Sequence, residues 1–277
     1  NIPLYLMCRE LDGKIKVVLQ GDGGDELFAG YRRYALLRNS YLLQMLPASL
    51  SRVLRVGGSY GRRAARLIDI FSSSDCAELM ALLLTVETKY EPPELLMEAD
   101  RRYFLASSTD PFLAYRDASQ RFSEQDPVQK MLLTDLVVQL PSQFLTKVDR
   151  ATMASGIEAR VPLLDEGLVK LAVSMPSIWK VRGTEKKLVL RDSQRGRLPD
   201  VILDGPKTGF GVPYQHWLRT SLFEHTRAHL LDYGFLEAFA FNGNAVEKAL
   251  KIHQNGEQDR GFTLWKLLQL AIWHGQR

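Results

Sequence analysis

Apolar residues recur every three or four positions along most of the chain, which is the spacing of one face of an α-helix. Two short runs rich in β-branched residues, 15–19 and 157–161, instead predict strands. Many helices around few parallel-type strands fit part of a predominantly helical α/β domain whose first strands lie upstream. The pattern predicts helices over residues 25–36, 41–57, 63–71, 76–88, 110–122, 128–140, 143–155, 166–174, 184–195, 214–231, 244–254 and 260–275, and a short one at Pro92-Pro93.

The first predicted strand leads into a glycine turn and a helix start. Residues 16–19 run into a Gly-Asp-Gly-Gly turn at 21–24, and the helix is expected to open at Asp25. This geometry presents backbone N–H groups to an anion. The segment carries Asp22, Asp25 and Glu26 but no lysine or arginine, so a phosphate bound here needs a cation. Mg²⁺ is the natural choice, and the GxxxxGK[ST] pattern of a P-loop is absent.

The same segment also has a purely structural interpretation. Asp-Gly between two apolar runs is a strong hairpin signal, with residues 27–29 as the return strand. The residues alone leave both an anion or metal loop and a plain turn open.

Composition narrows the function classes. The chain is 45% hydrophobic and 25% charged, and no apolar run approaches the ~20 residues that span a bilayer. A net charge of +4 is too modest to indicate nucleic acid as a partner. Cys8 and Cys76 lie far apart, which suits a reducing cytoplasm without a disulfide framework. The first residues do not form a signal peptide, and we expect the chain to begin inside a larger protein.

Three further segments place charge beside apolar residues or glycine. Residues 147–150 put a lysine, an aspartate and an arginine on one helical turn, either as exposed charges or as a polar helix end buried against a site. For Arg160, buried pairing with Glu158 or Asp165 is expected. Lys207 is the one lysine of a loop rich in glycine and proline, and would supply a cation near the acidic turn.

Taken together, four segments resemble the synthetase domain of glutamine-dependent asparagine synthetases. Their order and spacing match that family, and the resemblance extends to the last helix. The segments are VVLQGDGGDELFAGYRRY (17–34), LPSQFLTKVDRATMASGIEARVPLLD (140–165), EKKLVLRD (185–192) and LPDVILDGPKTGFGVPYQHWL (198–218).

The resemblance implies an adenine nucleotide alpha-hydrolase-like fold of the ATP-pyrophosphatase type. It implies a ligase in which MgATP adenylates the side-chain carboxylate of aspartate, pyrophosphate leaves, and ammonia attacks to give asparagine and AMP. The ammonia would come from glutamine, through a tunnel from an N-terminal glutaminase domain of the full-length chain. A cytoplasmic protein without nucleic-acid or membrane partners is expected, and a homodimer is left open.

The resemblance also implies where the nucleotide and its metal ion bind. By match to the family's loop, Gln20, Gly21 and Gly23 would lie against ATP and the acyl-adenylate. Asp25 falls at the position of a Mg²⁺ ligand in related enzymes.

Three residues match positions that would carry the chemistry. Asp22 falls where asparagine synthetases commonly have a glutamate near the intermediate and the incoming ammonia. Lys207 resembles the lysine that stabilises charge on the adenylate and pyrophosphate, and Lys187 a second lysine on the pyrophosphate side. A nearby carboxylate could take the ammonium proton.

Two departures keep other functions open. Gln20 stands where a serine is usual, and Asp22 is one methylene shorter than the glutamate. A relative that amidates a uronic acid or another surface-glycan carboxylate is the enzymatic alternative, and a degenerate interaction module is the non-enzymatic one. The chain holds neither the SGGxDS pyrophosphate loop nor a glutaminase domain, so we expect residues 1–277 alone to be inactive.

Overall fold

The structure, a computed structural model, describes residues 2–40, 45–47, 49–54, 56–72, 76–84, 113–122, 125–205 and 211–276. Helices dominate these ranges and four short strands accompany them, which confirms a mostly helical α/β chain. None of the described helices has the length and apolar character that crossing a membrane requires. The helices span Ile2–Leu11, Gly24–Phe28, Arg32–Arg38, Leu50–Leu54, Gly58–Phe71, Cys76–Leu84, Leu113–Arg121, Pro127–Val137, Thr146–Met153, Glu166–Ser174, Leu188–Asp192, Asp200–Leu203, Tyr214–Arg219, Phe223–Leu230, Tyr233–Ala238, Gly243–Gln254 and Gly261–Gly275, with a π-helical turn at Leu140–Leu145 and 3₁₀ turns at Pro162–Leu164 and Ser177–Trp179.

Both strands expected from the sequence are present and pair with each other. Strand β1 (Val17–Leu19) runs parallel to β2 (Glu158–Arg160), with Val18 opposite Ala159. The backbone N–H of Gln20 donates to the carbonyl of Arg160 at 2.8 Å, which extends the pairing to the first residue after β1. The glycine turn therefore starts from a position fixed by the parallel pair.

A second, antiparallel pair was not predicted and corrects the expected helix at 184–195. Strands β3 (Val181–Arg182) and β4 (Glu185–Lys186) form a hairpin in which Gly183 has a φ of 58°. Lys187 also has a positive φ, 55°, so the helix cannot begin before Leu188. The N-terminal part of that prediction is wrong because the chain reverses at Gly183 and forms β4 before the helix, whose apolar residues begin only at Leu188.

The other helix predictions fare unevenly. The helix at 166–174 has its predicted bounds, and the last two helices begin within one residue of theirs. The expected helix at 25–36 is broken, because Ala29 adopts a φ of 58°. The expected helix at 128–140 ends at Val137 and is followed by the π-helical turn, which contains Pro141. The short helix expected at Pro92-Pro93 lies outside the described residues.

The alternative hairpin for residues 27–29 is wrong. Gly24–Phe28 is a short helix, and the N–H of Leu27 donates to the carbonyl of Gly23 at 2.8 Å. The acidic segment therefore has the strand, turn and helix order that the anion-loop interpretation requires.

The chain divides into two compact units, of which the first comprises residues 1–88 and 111–209. Its main core gathers apolar side chains from helices distant in the sequence. Tyr34, Met80 and Met131 are fully buried there. A smaller cluster around Leu27, Phe28 and Ala172 packs the helix that follows the glycine turn. Burial of this short helix compensates for its length, since five residues are too few to be helical alone.

The second unit comprises residues 89–110 and 210–277, described from 211 to 276. Amphipathic helices enclose Leu218, Leu230, Phe235, Val246 and Leu264, each almost inaccessible to solvent. The helix expected at 214–231 is interrupted after Arg219 and resumes at Phe223, and a further helix begins after Asp232.

Candidate active site

The turn after β1 requires glycine at position 23. Gly23 has a φ of 86°, a left-handed conformation that side chains disfavour. A Cβ at this position would also lie 2.2 Å from Cδ2 of Leu164. The first helical residues are thus set close against the segment that follows β2, and a larger residue would push them away.

Asp25 and Lys187, both expected at the site from the sequence, meet in the structure. Oδ1 of Asp25 lies 2.9 Å from Nζ of Lys187, and their side chains are 21% and 30% exposed. A Cβ at Gly30 would lie 1.7 Å from that carboxylate oxygen and 2.4 Å from Cε of the lysine. The missing side chain at Gly30 is therefore what leaves room for the ion pair.

Backbone contacts hold Lys187 in this position. Its N–H donates to the carbonyl of Phe28 at 3.1 Å, at the end of the helix that carries Asp25. Its own carbonyl accepts from the N–H of Arg191 at 2.8 Å and so starts the next helix. A non-glycine residue in the left-handed region costs free energy and is kept where the surroundings impose it. Here it aims a lysine at the acidic turn.

Asp22 is half-buried at the centre of the turn. Burial raises the pKa of its carboxyl group, the positive charge of Lys147 opposes that rise, and the negative charge of Asp25 adds to it. A carboxylate with a raised pKa is a better proton acceptor than a solvated one. Lys147 itself is half-buried, whereas its neighbours Asp149 and Arg150 are exposed.

Glu26 is a site residue to which the sequence assigned no role. It is buried, and its Oε1 accepts a 2.6 Å hydrogen bond from the hydroxyl of Tyr31. Burial raises the pKa of Glu26, and the Tyr31 hydrogen bond lowers it by a smaller amount. The ring of Tyr31 in turn stacks on Phe144, with centroids 6.1 Å apart.

A buried hydrogen-bond network that centres on Asp135 was also not predicted from the sequence. Nε and Nη2 of Arg33 donate to Oδ2 of Asp135 at 3.1 and 2.9 Å, and the hydroxyl of Tyr34 donates to the same oxygen at 2.7 Å. Gln139 accepts a further hydrogen bond from Arg33. The available signal was Asp135 itself, a charge within the most apolar predicted helix.

Other predicted residues are placed differently. Arg160 pairs with Glu158 at 2.8 Å, but both side chains are about 60% exposed, so the expected burial is wrong. Asp165 instead caps a helix by accepting from the N–H groups of Gly167 and Leu168. Lys207 lies outside the described residues.

The residues of the turn can contribute to a metal site but do not complete one. Within the described residues, histidine, cysteine, aspartate and glutamate side chains form no group of three or more that could hold a metal ion. Mg²⁺ commonly binds through one or two carboxylates together with water and substrate phosphates. The oxygen chemistry of Asp25 fits that mode.

Comparison with known proteins gives relatives of one kind. The asparagine synthetase [glutamine-hydrolyzing] 1 of Bacillus subtilis is 28% identical over 280 residues, covering 99% of this chain and 42% of the relative. The asparagine synthetase [glutamine-hydrolyzing] 3 of the same organism is 26% identical over 78% of the chain and 31% of the relative. The asparagine synthetase [glutamine-hydrolyzing] 2 of Arabidopsis thaliana is 36% identical over 31% of the chain and 16% of the relative.

The chain thus spans well under half the length of these relatives. No solved structure matches it significantly. The family model described as asparagine synthase matches residues 1–275, almost the whole chain. The chain belongs to the asparagine synthase family.

Proposed function

We propose that this chain forms part of an ATP-dependent carbon–nitrogen ligase that converts aspartate to asparagine. The observation that carries the proposal is the meeting of Asp25 and Lys187 beside Asp22, on a strand–glycine turn–helix segment. The two ion-pair partners are far apart in the sequence and come together only on folding. A phosphate-transferring site needs such a combination of oxygen ligand and cation.

The chemistry proceeds in two steps. A carboxylate oxygen of the substrate attacks the α-phosphorus of ATP, the bond to the bridging oxygen breaks, and pyrophosphate leaves. Lys187 stabilises the charge on the departing pyrophosphate, together with Lys207 from the loop outside the described residues. Ammonia then attacks the acyl carbon, the acyl carbon–oxygen bond breaks, and AMP leaves. Asp22 accepts the proton released by the attacking nitrogen.

Magnesium would be held by Asp25 and by the phosphates of ATP. When bound, it neutralises charge on the triphosphate and on the leaving pyrophosphate. In the structure Nζ of Lys187 lies 2.9 Å from Oδ1 of Asp25, so a lysine cation already stands where the metal ion would neutralise this carboxylate. The role of the protein is to keep this carboxylate in place through the space left at Gly30.

The complete activity belongs to the full-length protein. We propose that the remainder supplies the SGGxDS pyrophosphate loop of an ATP-pyrophosphatase-type fold and a glutaminase domain that delivers ammonia. Residues 1–277 alone should then release pyrophosphate far more slowly than the full-length protein, because they carry no SGGxDS motif.

The test uses the full-length protein and follows pyrophosphate release with MgATP, glutamine and either aspartate or glucuronate. We expect aspartate to be the better substrate. Asp22→Asn and Lys187→Met should each lower kcat by about 100-fold or more. Lys170→Met is the matched control, since Lys170 is 74% exposed and, among the residues that the structure describes, pairs with Glu166 alone, one helical turn away.

Thermal melting of each variant separates lost chemistry from lost folding. Wild-type rates in both folded site variants would contradict the proposal. A preference for glucuronate would keep the ligase chemistry and reject aspartate as the substrate.

A further inference from the structure

The helix after the π-helical turn carries a lysine whose ammonium group has no hydrogen-bonding partner among the described residues. Lys147 lies in the first turn of the helix Thr146–Met153. Its Nζ lies 4.9 Å from the centroid of the Phe144 ring. Within the described part of the chain, no side chain or carbonyl accepts a hydrogen bond from this ammonium, and no carboxylate forms a close ion pair with it. Three N–H donors of a half-buried cation are thus available.

The aromatic surface under Lys147 is anchored to the acidic turn. Phe144 stacks on Tyr31 with an interplanar angle of 19°, and the hydroxyl of Tyr31 is bonded to Glu26. The guanidinium carbon of Arg33 lies 4.0 Å from the centroid of the Tyr31 ring. Phe144 and Tyr31 are therefore held between two cations. An ammonium above such rings is kept at a defined place without using its hydrogen bonds.

The position of this ammonium places it beside the proposed acyl chemistry. The ring under Lys147, that of Phe144, stacks on Tyr31, whose hydroxyl is bonded to Glu26 in the helix that follows the turn. In agreement with this placement, the charge of Lys147 lowers the pKa of Asp22 against the effect of burial. The other charge acting on Asp22 is Asp25, which is itself paired with Lys187. Lys187 is thus engaged by Asp25, the proposed metal ligand, whereas no described residue accepts a hydrogen bond from Lys147.

The substrate can satisfy these donors. A lysine ammonium is a compact point charge that suits a carboxylate, and a hydrogen bond between two charged groups is stronger than one between neutral groups. Aspartate has two carboxylates, of which only the side-chain carboxylate is activated. The second one enters the site as an anion and needs a cationic partner there, since burying it alone is costly.

We propose that Lys147 binds the carboxylate of the acyl substrate that is not activated, and so selects a dicarboxylate over a monocarboxylate. The inference rests on the proposed function, which places the acyl substrate at the Asp22 turn. It names a specificity-determining residue in a segment, 147–150, whose charges the sequence alone left without a role.

The experiment measures equilibrium binding of aspartate and of β-alanine to the full-length protein by isothermal titration calorimetry. β-Alanine is aspartate without the second carboxylate. We expect the wild-type protein to favour aspartate, and Lys147→Met to weaken aspartate binding by about 10- to 100-fold, as for loss of a charged hydrogen bond. The binding of β-alanine should change less than 2-fold, roughly the scatter for a distant surface change. Lys147→Arg should keep most of the aspartate affinity, and Lys170→Met all of it.

Each other result overturns the inference. Equal losses for both ligands would mean that Lys147 supports the fold of the site without recognising a substrate group. Unchanged aspartate binding in Lys147→Met, or no preference for aspartate in the wild-type protein, would mean that it contacts no carboxylate. Binding needs no turnover, so this outcome is separate from the proposed function, which fails if Asp22→Asn and Lys187→Met retain normal pyrophosphate release.

Discussion

The two compact units of the chain bury different kinds of side chain. In the described part of the first unit, Glu26, Asp135 and Lys180 are almost inaccessible although each can carry a full charge. In the described part of the second unit, the buried polar side chains are Thr226 and His253. Burial lowers the pKa of His253 and so favours its neutral form. The described part of the first unit thus buries ionisable side chains of both signs, whereas that of the second unit buries mainly apolar side chains.

The difference in buried side chains indicates which residues serve chemistry and which serve mainly stability. A buried charge costs free energy unless it is paired, so its presence needs a reason beyond holding the chain together. In the first unit, Glu26 lies in the helix that follows the Asp22 turn, and Asp135 binds Arg33 and Tyr34 of the next helix. Lys180 instead donates to Gln129. In the second unit, replacing apolar side chains should change stability and leave the chemistry of the turn intact.

The largest effect should follow Asp135→Ala in the first unit. The change leaves Arg33, whose side chain is 12% exposed, without its carboxylate partner. Loss of one member of a buried ion pair costs about 3–5 kcal/mol. Urea denaturation measures this cost, with Asp192→Asn as the control because its pair with Arg195 is exposed. Equal stabilities of the two variants would contradict the comparison.

Tyr31→Phe should have an intermediate effect. It removes the hydrogen bond to buried Glu26, and leaving a buried acceptor unsatisfied costs about 1–3 kcal/mol. The pKa of Glu26 is already raised by burial, and it should rise further without the hydroxyl that lowers it. A raised pKa in the folded state means stability that is present at acidic pH and lost as the pH rises through that pKa.

The cost of Tyr31→Phe should therefore be larger near neutral pH than near the unperturbed pKa of a glutamate. Urea titrations at the two pH values measure this difference. The control is Tyr233→Phe, because Tyr233 is exposed and bonds Glu237 only weakly at 3.4 Å. A cost independent of pH would mean that Glu26 does not titrate in this range.

The smallest expected effect is on the pH dependence of stability, through His253 in the second unit. Burial, and then the charge of Arg219, lower the pKa of His253 below its ordinary value of 6.5. A lowered pKa in the folded state means that stability is present above pH 6.5 and is lost as the pH falls through the folded pKa. The melting temperature should fall less steeply between pH 7.5 and pH 5 in His253→Gln than in the wild type. His225→Gln, at an exposed position, should keep the wild-type slope.

Local patterns predicted those elements whose cause is local. β1 was found because β-branched residues cluster there, and the helix at 166–174 because one apolar face fits its whole length. β2 itself is Glu-Ala-Arg, and only the β-branched residues that flank it, Ile157 and Val161, indicated a strand. The helix boundaries next to Ala29 and Lys187 were not predicted. A positive φ in a non-glycine residue is imposed by tertiary packing and cannot be recognised in the amino-acid sequence. The helix break after Arg219 was not predicted either, because residues 220–222 include no proline or glycine.

In the candidate site, too, the sequence identified individual residues but not the contacts between them. Asp22 and Asp25 were identified from the turn that contains them, and Lys187 from resemblance to a family. Their geometry could not be predicted, because the contact between Asp25 and Lys187 depends on tertiary packing. The same holds for the support that Tyr31 and Phe144 give to the turn, which joins two segments far apart in the chain.

The absence of a side chain at Gly30 predicts that this position is constrained in evolution. Addition of a single methyl group there would displace the carboxylate and the lysine together, since both lie within 2.4 Å of where it would stand. Charge-conserving changes at Asp25 or Lys187 alter one partner, whereas any change at Gly30 disturbs two. The residue with no functional group of its own is thus expected to tolerate the fewest replacements across homologues.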